Sequence, residues 1–150
     1  MELQIFLPWP VSVNQYYRRA GYRTYLSPKG AAYKKVVAEL FRDREVPIFP
    51  TERIHLDIKY YPPDRREKRD VDNFSKCCLD SLIGFLYTDD SQVKRLHQEM
   101  LTDTPEKGGR VEVTASYYVR DLMKGYNNEQ ENEERYEPRG SEEEEEDTGA

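Results

Sequence analysis

The sequence predicts an α+β fold in two layers, a mixed β-sheet with two helices on one face, in the order β-α-β-α-β-β. Two segments, near residues 54–60 and 111–119, alternate apolar and polar side chains with the period of a strand. Two others, near residues 28–41 and 73–86, repeat apolar residues with the period of a helix. Segments of both kinds in one chain of 150 residues fit a single domain that buries its own core.

The first strand is short, and an aromatic segment follows it. Leu3, Ile5 and Leu7 alternate with Glu2, Gln4 and Phe6. Two prolines after them end the strand, because proline cannot donate to a ladder. Residues 9–26 show no clear period and are interpreted as a loop. This loop interleaves tyrosines with arginines: Tyr16, Tyr17, Arg18, Arg19, Tyr22, Arg23 and Tyr25. Such a loop can stack on unpaired bases and clamp phosphates, or it can simply fold over the core.

The first helix has clear start and stop signals. Ser27 is a typical N-cap, and Pro28 fits the first helical position. The predicted buried stripe consists of Ala32, Tyr33, Val36, Val37, Leu40 and Phe41. Prolines at positions 47 and 50 end this region. The strand after them has its apolar side chains on one face, namely Ile54, Leu56, Ile58 and Tyr60.

The second helix is predicted from Asn73, with Asp72 at its N-cap position. Its buried stripe is Phe74, Cys77, Cys78, Leu82, Phe85 and Leu86. Because both cysteines lie on this stripe, packing explains them better than metal ligation or redox chemistry. A weaker strand over residues 92–100, a turn at residues 107–109 and a last strand from Val111 to Val119 complete the order.

Charge divides the chain into two parts. Residues 121–150 hold 12 acids and 3 bases, whereas residues 1–120 hold 20 bases and 17 acids. The sequence therefore predicts a mildly basic folded domain over residues 1–120 and a disordered acidic C-terminal tail over residues 121–150. The chain has no apolar run of membrane-spanning length and no secretory leader, so a cytoplasmic protein without a membrane partner is expected.

The stretch DRREKRDVDNFSKCCLDSLIGFLYTDD, residues 64–90, carries the chemistry. It sets four bases beside two aspartates, Asp70 and Asp72, and it ends on the acidic pair Asp89-Asp90. The bases are Arg65, Arg66, Lys68 and Arg69. A phosphodiester held against a divalent cation would use both charges, because bases bind the backbone and carboxylates hold the metal. The alternatives are acids that only favour a helix start, and a binding module whose acids balance its arginines.

Lys76 allows two interpretations. Its ammonium can offset the negative charge that develops on a phosphorane or a leaving oxygen. It can instead form an exposed i,i+4 ion pair with Asp72 or Asp80, which would stabilise the helix only slightly. Asp80 is assigned to the solvated face of the helix.

Four pieces of sequence resemble the RusA family of Holliday junction resolvases, which occur in bacteria and their phages. They are LPWPVSVNQYYRR, RDVDNFSKCCLDSL, YTDDSQV and KGGRVEVT, and they span residues 3 to about 118. The resemblance implies a homodimeric, Mg²⁺-dependent endonuclease, with Mn²⁺ as an alternative ion. Such an enzyme binds four-way DNA junctions and nicks two opposing strands symmetrically, in recombination and repair of bacterial or phage DNA.

The resemblance also implies roles for individual residues. Asp70, Asp72 and Asp90 match the family's catalytic, metal-holding aspartates, and Lys76 matches its catalytic lysine. The DNA-binding residues would be Arg69, Lys76, Arg65, Arg66, Lys68, Tyr16, Arg18 and Arg19. Two other functions stay open: a less selective metal-dependent nuclease on branched DNA, and a non-catalytic DNA-binding protein.

Overall fold

A computed structural model describes residues 1–120, and the predicted acidic tail lies outside these described residues. The elements in chain order are β1 Glu2–Pro8, α1 Val13–Tyr16, β2 Tyr17–Ala20, β3 Arg23–Leu26, α2 Pro28–Leu40, β4 Ile54–Tyr61, α3 Ser75–Ser81, β5 Val93–Met100 and β6 Arg110–Tyr117. Two short 3-10 helices, Val71–Phe74 and Asp90–Gln92, precede α3 and β5.

The main sheet has four strands in the order β1-β6-β4-β5. β4 and β5 are parallel, whereas β6 pairs antiparallel with β1 on one side and with β4 on the other. The sheet is therefore mixed, which confirms the predicted fold class. The predicted order β-α-β-α-β-β is incomplete, because the short helix α1 and the strands β2 and β3 lie between β1 and α2.

The core lies between one face of the sheet and the two longer helices. The predicted inward set of β4 is completely buried, and the inward residues of β6 are buried with it: Ile54, Leu56, Ile58, Tyr60, Val111, Val113 and Ala115. Cys77 and Cys78 are buried in the same core as free thiols, which confirms their packing role. The opposite face of the sheet carries polar side chains, such as Asp57 and Thr114.

Helix α2 begins as the sequence predicts. The Ser27 hydroxyl accepts a hydrogen bond from the Gly30 amide at 3.1 Å, which satisfies one of the unpaired donors of the first turn. The predicted buried stripe is too wide, however. Tyr33 is buried, but Val36 and Leu40 are exposed, because only one side of this helix packs against the core.

The interpretation of residues 9–26 as a loop is wrong. β2 and β3 form a separate two-stranded hairpin, in which Ala20 faces Arg23 across a two-residue turn. Gly21 has φ of +61°, and glycine at the first central position with a positive φ is the requirement of a type II′ turn. Both faces of the hairpin are largely exposed, so its strands lack the apolar alternation by which a strand is recognised in sequence.

Trp9 connects the N-terminal strand to the region that carries the candidate site. Its ring lies 4.9 Å from the ring of Phe74 and 6.3 Å from that of Tyr60, measured between centroids. Gly109 lies against the other side of the indole, where a Cβ would come within 2.9 Å of the ring. Gly109 is also in the left-handed region at φ +71°, so two independent constraints require glycine at this position.

Candidate active site and DNA interface

The segment that carries the two predicted aspartates is anchored at the start of α3. Phe74 is buried, and the hydroxyl of Ser75 donates to Gln98 Oε1 on β5 at 2.6 Å. The same oxygen accepts a hydrogen bond from Tyr60 on β4, also at 2.6 Å. The start of α3 is thereby hydrogen-bonded to β5 and, through the shared oxygen of Gln98, linked to β4.

Asp70 and Asp72 are exposed at this anchored position, and neither has a partner among residues 1–120. Asp70 is the N-cap of the first 3-10 helix, but its side chain makes no capping hydrogen bond. Asp72 lies inside that helix, so the prediction that Asp72 caps α3 is wrong; the N-cap residue of α3 is Phe74. Within residues 1–120, no hydrogen bond or ion pair engages either carboxylate. Capping therefore does not explain these acids, and both are available to a ligand.

The second acidic pair divides into one structural acid and one exposed acid. Asp89 caps the 3-10 helix Asp90–Gln92, because its carboxylate accepts hydrogen bonds from the Ser91 amide and from the Ser91 hydroxyl. These hydrogen bonds lower the pKa of Asp89. The Gln92 side chain completes the capping box by accepting from the Asp89 amide at 3.0 Å. Asp90 is exposed, as Asp89 is, and hydrogen bonds from Asp90 to Asp89 make a smaller contribution to the lowered pKa of Asp89.

The three predicted metal-holding acids are not gathered into one cluster in the single chain. Among residues 1–120, no group of three His, Cys, Asp or Glu side chains is arranged to hold a metal ion. The pKa of Lys76 is raised mainly by its hydrogen bond to Asp80, and the negative charge of Asp90 makes a lesser contribution. The donors fit Mg²⁺ in kind, since they are exposed carboxylates, and this ion is usually held by only one or two of them.

Lys76 is held in place by a buried partner. Its Nζ lies 3.0 Å from Oδ1 of Asp80, one helical turn further along α3. This hydrogen bond is the main cause of the raised pKa of Lys76. Oδ2 of Asp80 accepts a hydrogen bond from the hydroxyl of Tyr16 at 3.2 Å. The assignment of Asp80 to the solvated face is wrong, because only 13% of its side chain is exposed.

The basic cluster contains one fixed and three exposed side chains. Arg69 donates to Oδ1 of Asp64 at 2.7 Å, and its guanidinium lies over the Trp9 ring, so only 14% of the side chain is exposed. The hydrogen bond from Arg69 lowers the pKa of Asp64 to about 2. Arg65, Arg66 and Lys68 are exposed around this fixed pair.

The hairpin places the other predicted DNA-binding residues. Arg18 and Arg19 are exposed on β2, as the prediction requires. Tyr16 is different, because its ring is buried in the core and its hydroxyl is bonded to Asp80. Tyr22 follows Gly21 at the tip of the hairpin and is fully exposed.

Comparison with known proteins identifies the family. The model of the family described as endodeoxyribonuclease RusA matches residues 8–135, and this match continues beyond residue 120. Curated relatives named crossover junction endodeoxyribonuclease RusA agree with the match. The relative from Escherichia coli (strain K12) is 39% identical over 112 residues, which cover 73% of this chain and 90% of the relative. The relative from Enterobacteria phage HK97 is 40% identical over 91 residues, which cover 61% and 75% of the two chains.

The chain belongs to the RusA family. The match spans all the candidate site residues from Tyr16 to Asp90, and it therefore includes the hairpin, α3 and both acidic pairs. The described part of this RusA family member contains no helix that is long and apolar enough to cross a membrane.

Sequence reasoning missed three features of the RusA site. It assigned Asp80 to solvent, left the role of Asp89 open and grouped Tyr16 with the DNA-binding residues. The Asp80 contact had a signal, since Lys76 and Asp80 are four residues apart on one helix and an ion pair between them was one interpretation. The capping box was also recognisable in the sequence, because an acid at position 89 is followed three residues later by a glutamine, Gln92. The burial of Tyr16 had no signal, because the hairpin that it precedes was not recognised.

Proposed function

We propose that this chain is a structure-specific endodeoxyribonuclease that resolves four-way DNA junctions by nicking two opposing strands symmetrically, in DNA recombination and repair. One observation carries the proposal: this RusA family member exposes Asp70 and Asp72, and within residues 1–120 no hydrogen bond or ion pair engages either carboxylate. By contrast, neighbouring side chains engage Asp64, Asp80 and Asp89. Two neighbouring carboxylates repel each other, and the exposed bases close to them in the chain attract anions, so a suitable ligand would supply both a cation and an anion. A phosphodiester with a divalent cation is such a ligand.

Asp70, Asp72 and Asp90 are the residues that would hold Mg²⁺, or Mn²⁺ in its place. Two of them suffice for Mg²⁺, because this ion keeps several waters and takes its other oxygen ligands from phosphate. When bound, the ion would polarise the scissile phosphate and lower the pKa of a bound water. Asp89 is not proposed as a ligand, because its carboxylate is committed to the cap of its own helix.

Lys76 is the cationic residue of the proposed site. Its side chain is 45% exposed, so the ammonium reaches solvent although one of its protons is directed to Asp80. An ammonium has three donors, and two of them remain for substrate oxygens. We assign to Lys76 the stabilisation of the negative charge that builds up as the phosphodiester bond breaks.

The DNA interface is proposed to have two parts. Arg65, Arg66 and Lys68 are exposed and close to the acids in the chain, and they would neutralise the phosphates next to the cut, as would the accessible edge of Arg69. The hairpin would add Arg18 and Arg19. Its surroundings favour an anion, because residues 9–38 contain six bases and no acid. We leave Tyr16 out of the contacts, because its ring is buried.

A homodimer is part of the proposal. A four-way junction is resolved by two cuts related by a two-fold axis, and a two-fold dimer presents two identical sites in that relation. The proposal also keeps residues 1–120 as the endonuclease domain and residues 121–150 as a separate acidic tail. The proposed location is the cytoplasm of the bacterium or of the phage-infected cell, where the DNA is.

Substrate comparison tests the proposal. The protein is incubated with a synthetic four-way junction, a fork and linear duplex of the same sequence, with and without Mg²⁺. The proposal expects Mg²⁺-dependent nicks in the junction and little cutting of the other two substrates. Equal cutting of all three would instead establish the less selective nuclease. Binding without any cutting, unchanged in Asp72→Asn, would establish the non-catalytic DNA-binding protein.

A further inference from the structure

Asp80 differs from the other acids near the candidate site, because both of its oxygens are engaged. Oδ1 lies 3.0 Å from Nζ of Lys76, and Oδ2 accepts a hydrogen bond from the Tyr16 hydroxyl at 3.2 Å. The partners come from different elements, since Lys76 and Asp80 lie on α3 and Tyr16 ends α1. These elements are therefore joined through a carboxylate as well as through the apolar core.

We propose that Asp80 is a positioning residue, which holds the ammonium of Lys76 at the edge of the active site and is itself oriented by Tyr16. This inference rests on the proposed function, because it assigns a purpose to the position of Lys76 in strand cleavage. It adds two residues to the site, neither of which is proposed to touch DNA or metal.

Burial distinguishes this pair from an ordinary surface ion pair. An exposed lysine–carboxylate pair on a helix is screened by water and holds neither side chain in one conformation. Here the carboxylate is 13% exposed and the tyrosine ring behind it is almost completely buried. Burial and the nearby carboxylate raise the pKa of Tyr16, so this hydroxyl keeps its proton and remains a donor to Asp80. The donor cannot move without disturbing the core, and Asp80 therefore has a fixed orientation.

A fixed carboxylate is useful to a lysine. The lysine side chain is long and flexible, and without a partner its ammonium samples many positions. The hydrogen bond to Asp80 selects one of them and leaves two N–H donors for the substrate. Because the benefit of a cation to a transition state depends on its position, the loss of Asp80 should reduce the rate of cleavage more than the affinity for DNA.

The activity test separates rate from binding. Single-turnover cleavage of a four-way junction by saturating protein is measured for wild type, Asp80→Asn and Tyr16→Phe, and junction affinity is measured without Mg²⁺. We expect Asp80→Asn to lower the rate about 10- to 100-fold, with affinity within about twofold of wild type. Tyr16→Phe should lower the rate about fivefold, because it removes the hydrogen bond that orients Asp80 but leaves the carboxylate beside Lys76. Asp43→Asn, an exposed acid after α2 with the same change of charge, is the matched control.

A double-mutant cycle shows whether Asp80 acts through Lys76. In the Lys76→Ala background, Asp80→Asn should cause no further reduction of the rate, because the side chain that Asp80 positions is already absent. Reductions that multiply in the double mutant would overturn the proposal. If Asp80→Asn does not fold, the same cycle is made with Tyr16→Phe, which keeps the buried ring.

A spectroscopic readout keeps this test independent of activity. In protein labelled with nitrogen-15 at lysine, a hydrogen-bonded ammonium exchanges its protons slowly and gives a distinct signal, assigned here by its absence in Lys76→Arg. We expect this signal to shift or vanish in Asp80→Asn and to persist in Asp43→Asn. An unchanged signal in Asp80→Asn overturns the positioning role. If the wild-type protein does not cleave junctions but the lysine signal behaves as expected, the proposed function is overturned. The hydrogen bond between Lys76 and Asp80 is then still established.

Discussion

Two regions of the molecule meet near Tyr16: the segment from Asp70 to Ser81, and the hairpin formed by β2 and β3. They differ in how firmly the core anchors them. The first is anchored through Phe74, Ser75 and the buried face of α3. The hairpin forms its own two-stranded sheet and exposes nearly all its side chains. Chemistry requires side chains in fixed positions, whereas recognition of a branched DNA allows side chains that adapt. Under the proposed function, the anchored segment would therefore carry cleavage and the hairpin would carry junction recognition.

The largest expected effect is on the rate, from a change in the anchored segment. Asp70→Asn should reduce junction cleavage by at least about 10²–10³-fold, because it removes one of the carboxylates proposed to hold the metal ion. Binding should be unchanged or tighter, since one negative charge next to the phosphates is removed. Both quantities are measured on the same labelled junction, by cleavage with Mg²⁺ and by gel shift without it. Loss of binding together with cleavage would contradict this role of Asp70.

In the hairpin the expected effect is on binding. The double variant Arg18→Ala/Arg19→Ala should weaken junction binding about 30-fold at low salt, if each exposed arginine–phosphate pair contributes about 1 kcal/mol. The slope of log affinity against log salt should fall by roughly 2, one for each phosphate that is no longer neutralised. The cleavage rate of the saturated complex should stay near that of wild type. If the slope of log affinity against log salt in this variant equals that of wild type, the two arginines do not contact the DNA.

Tyr22 at the hairpin tip sharpens the comparison further. Stacking of an aromatic ring on an unpaired base contributes about 1 kcal/mol or more, and a branch point offers such bases where a duplex does not. Tyr22→Ala should therefore lower the ratio of junction affinity to duplex affinity about fivefold. Tyr22→Phe, which keeps the ring, is the matched control and should leave the ratio unchanged. An equal reduction of affinity for both DNAs would show that Tyr22 does not recognise the branch.

The same difference between the two regions explains what could be predicted from the sequence. The alternation of Ile54, Leu56 and Ile58 predicts β4 because this strand buries one face and exposes the other, and Ser27 predicts the start of α2 through a local capping hydrogen bond. The hairpin escaped prediction because strands exposed on both faces carry no hydrophobic period. Its only local signal was Gly21 in the turn.

Long-range interactions set the same limit at the site. The spacing of Asp70, Asp72 and Lys76 is local and could be recognised, and the family resemblance added Asp90. The hydrogen bond between Tyr16 and Asp80 joins residues 64 positions apart, and no periodicity encodes it. The ion pair of Arg69 with Asp64 is local, but the position of Trp9 beneath that guanidinium follows only from the tertiary fold.

The smallest expected effect concerns stability and pH, in the basic cluster. Because Arg69 holds the pKa of Asp64 at about 2, below its ordinary value of 3.8, the ionised carboxylate stabilises the folded state above that ordinary value. This stabilisation disappears as the pH falls from the ordinary value through the lowered one. Melting temperatures of wild type and Asp64→Asn should therefore converge as the pH falls through this range. A constant difference between them across the range would contradict the assigned ion pair.

The acidic pair Asp89-Asp90 provides the most direct test of the central claim, because two neighbouring aspartates are given opposite duties. Nicks are mapped on a mobile four-way junction with Mg²⁺, for wild type, Asp90→Asn and Asp89→Asn. The account predicts paired, symmetric nicks by wild type and by Asp89→Asn, which loses a cap and therefore some thermal stability, and no nicks by Asp90→Asn. The account would be contradicted if Asp90→Asn cleaved the junction as well as wild type. It would also be contradicted if only Asp89→Asn, with its fold intact, failed to cleave.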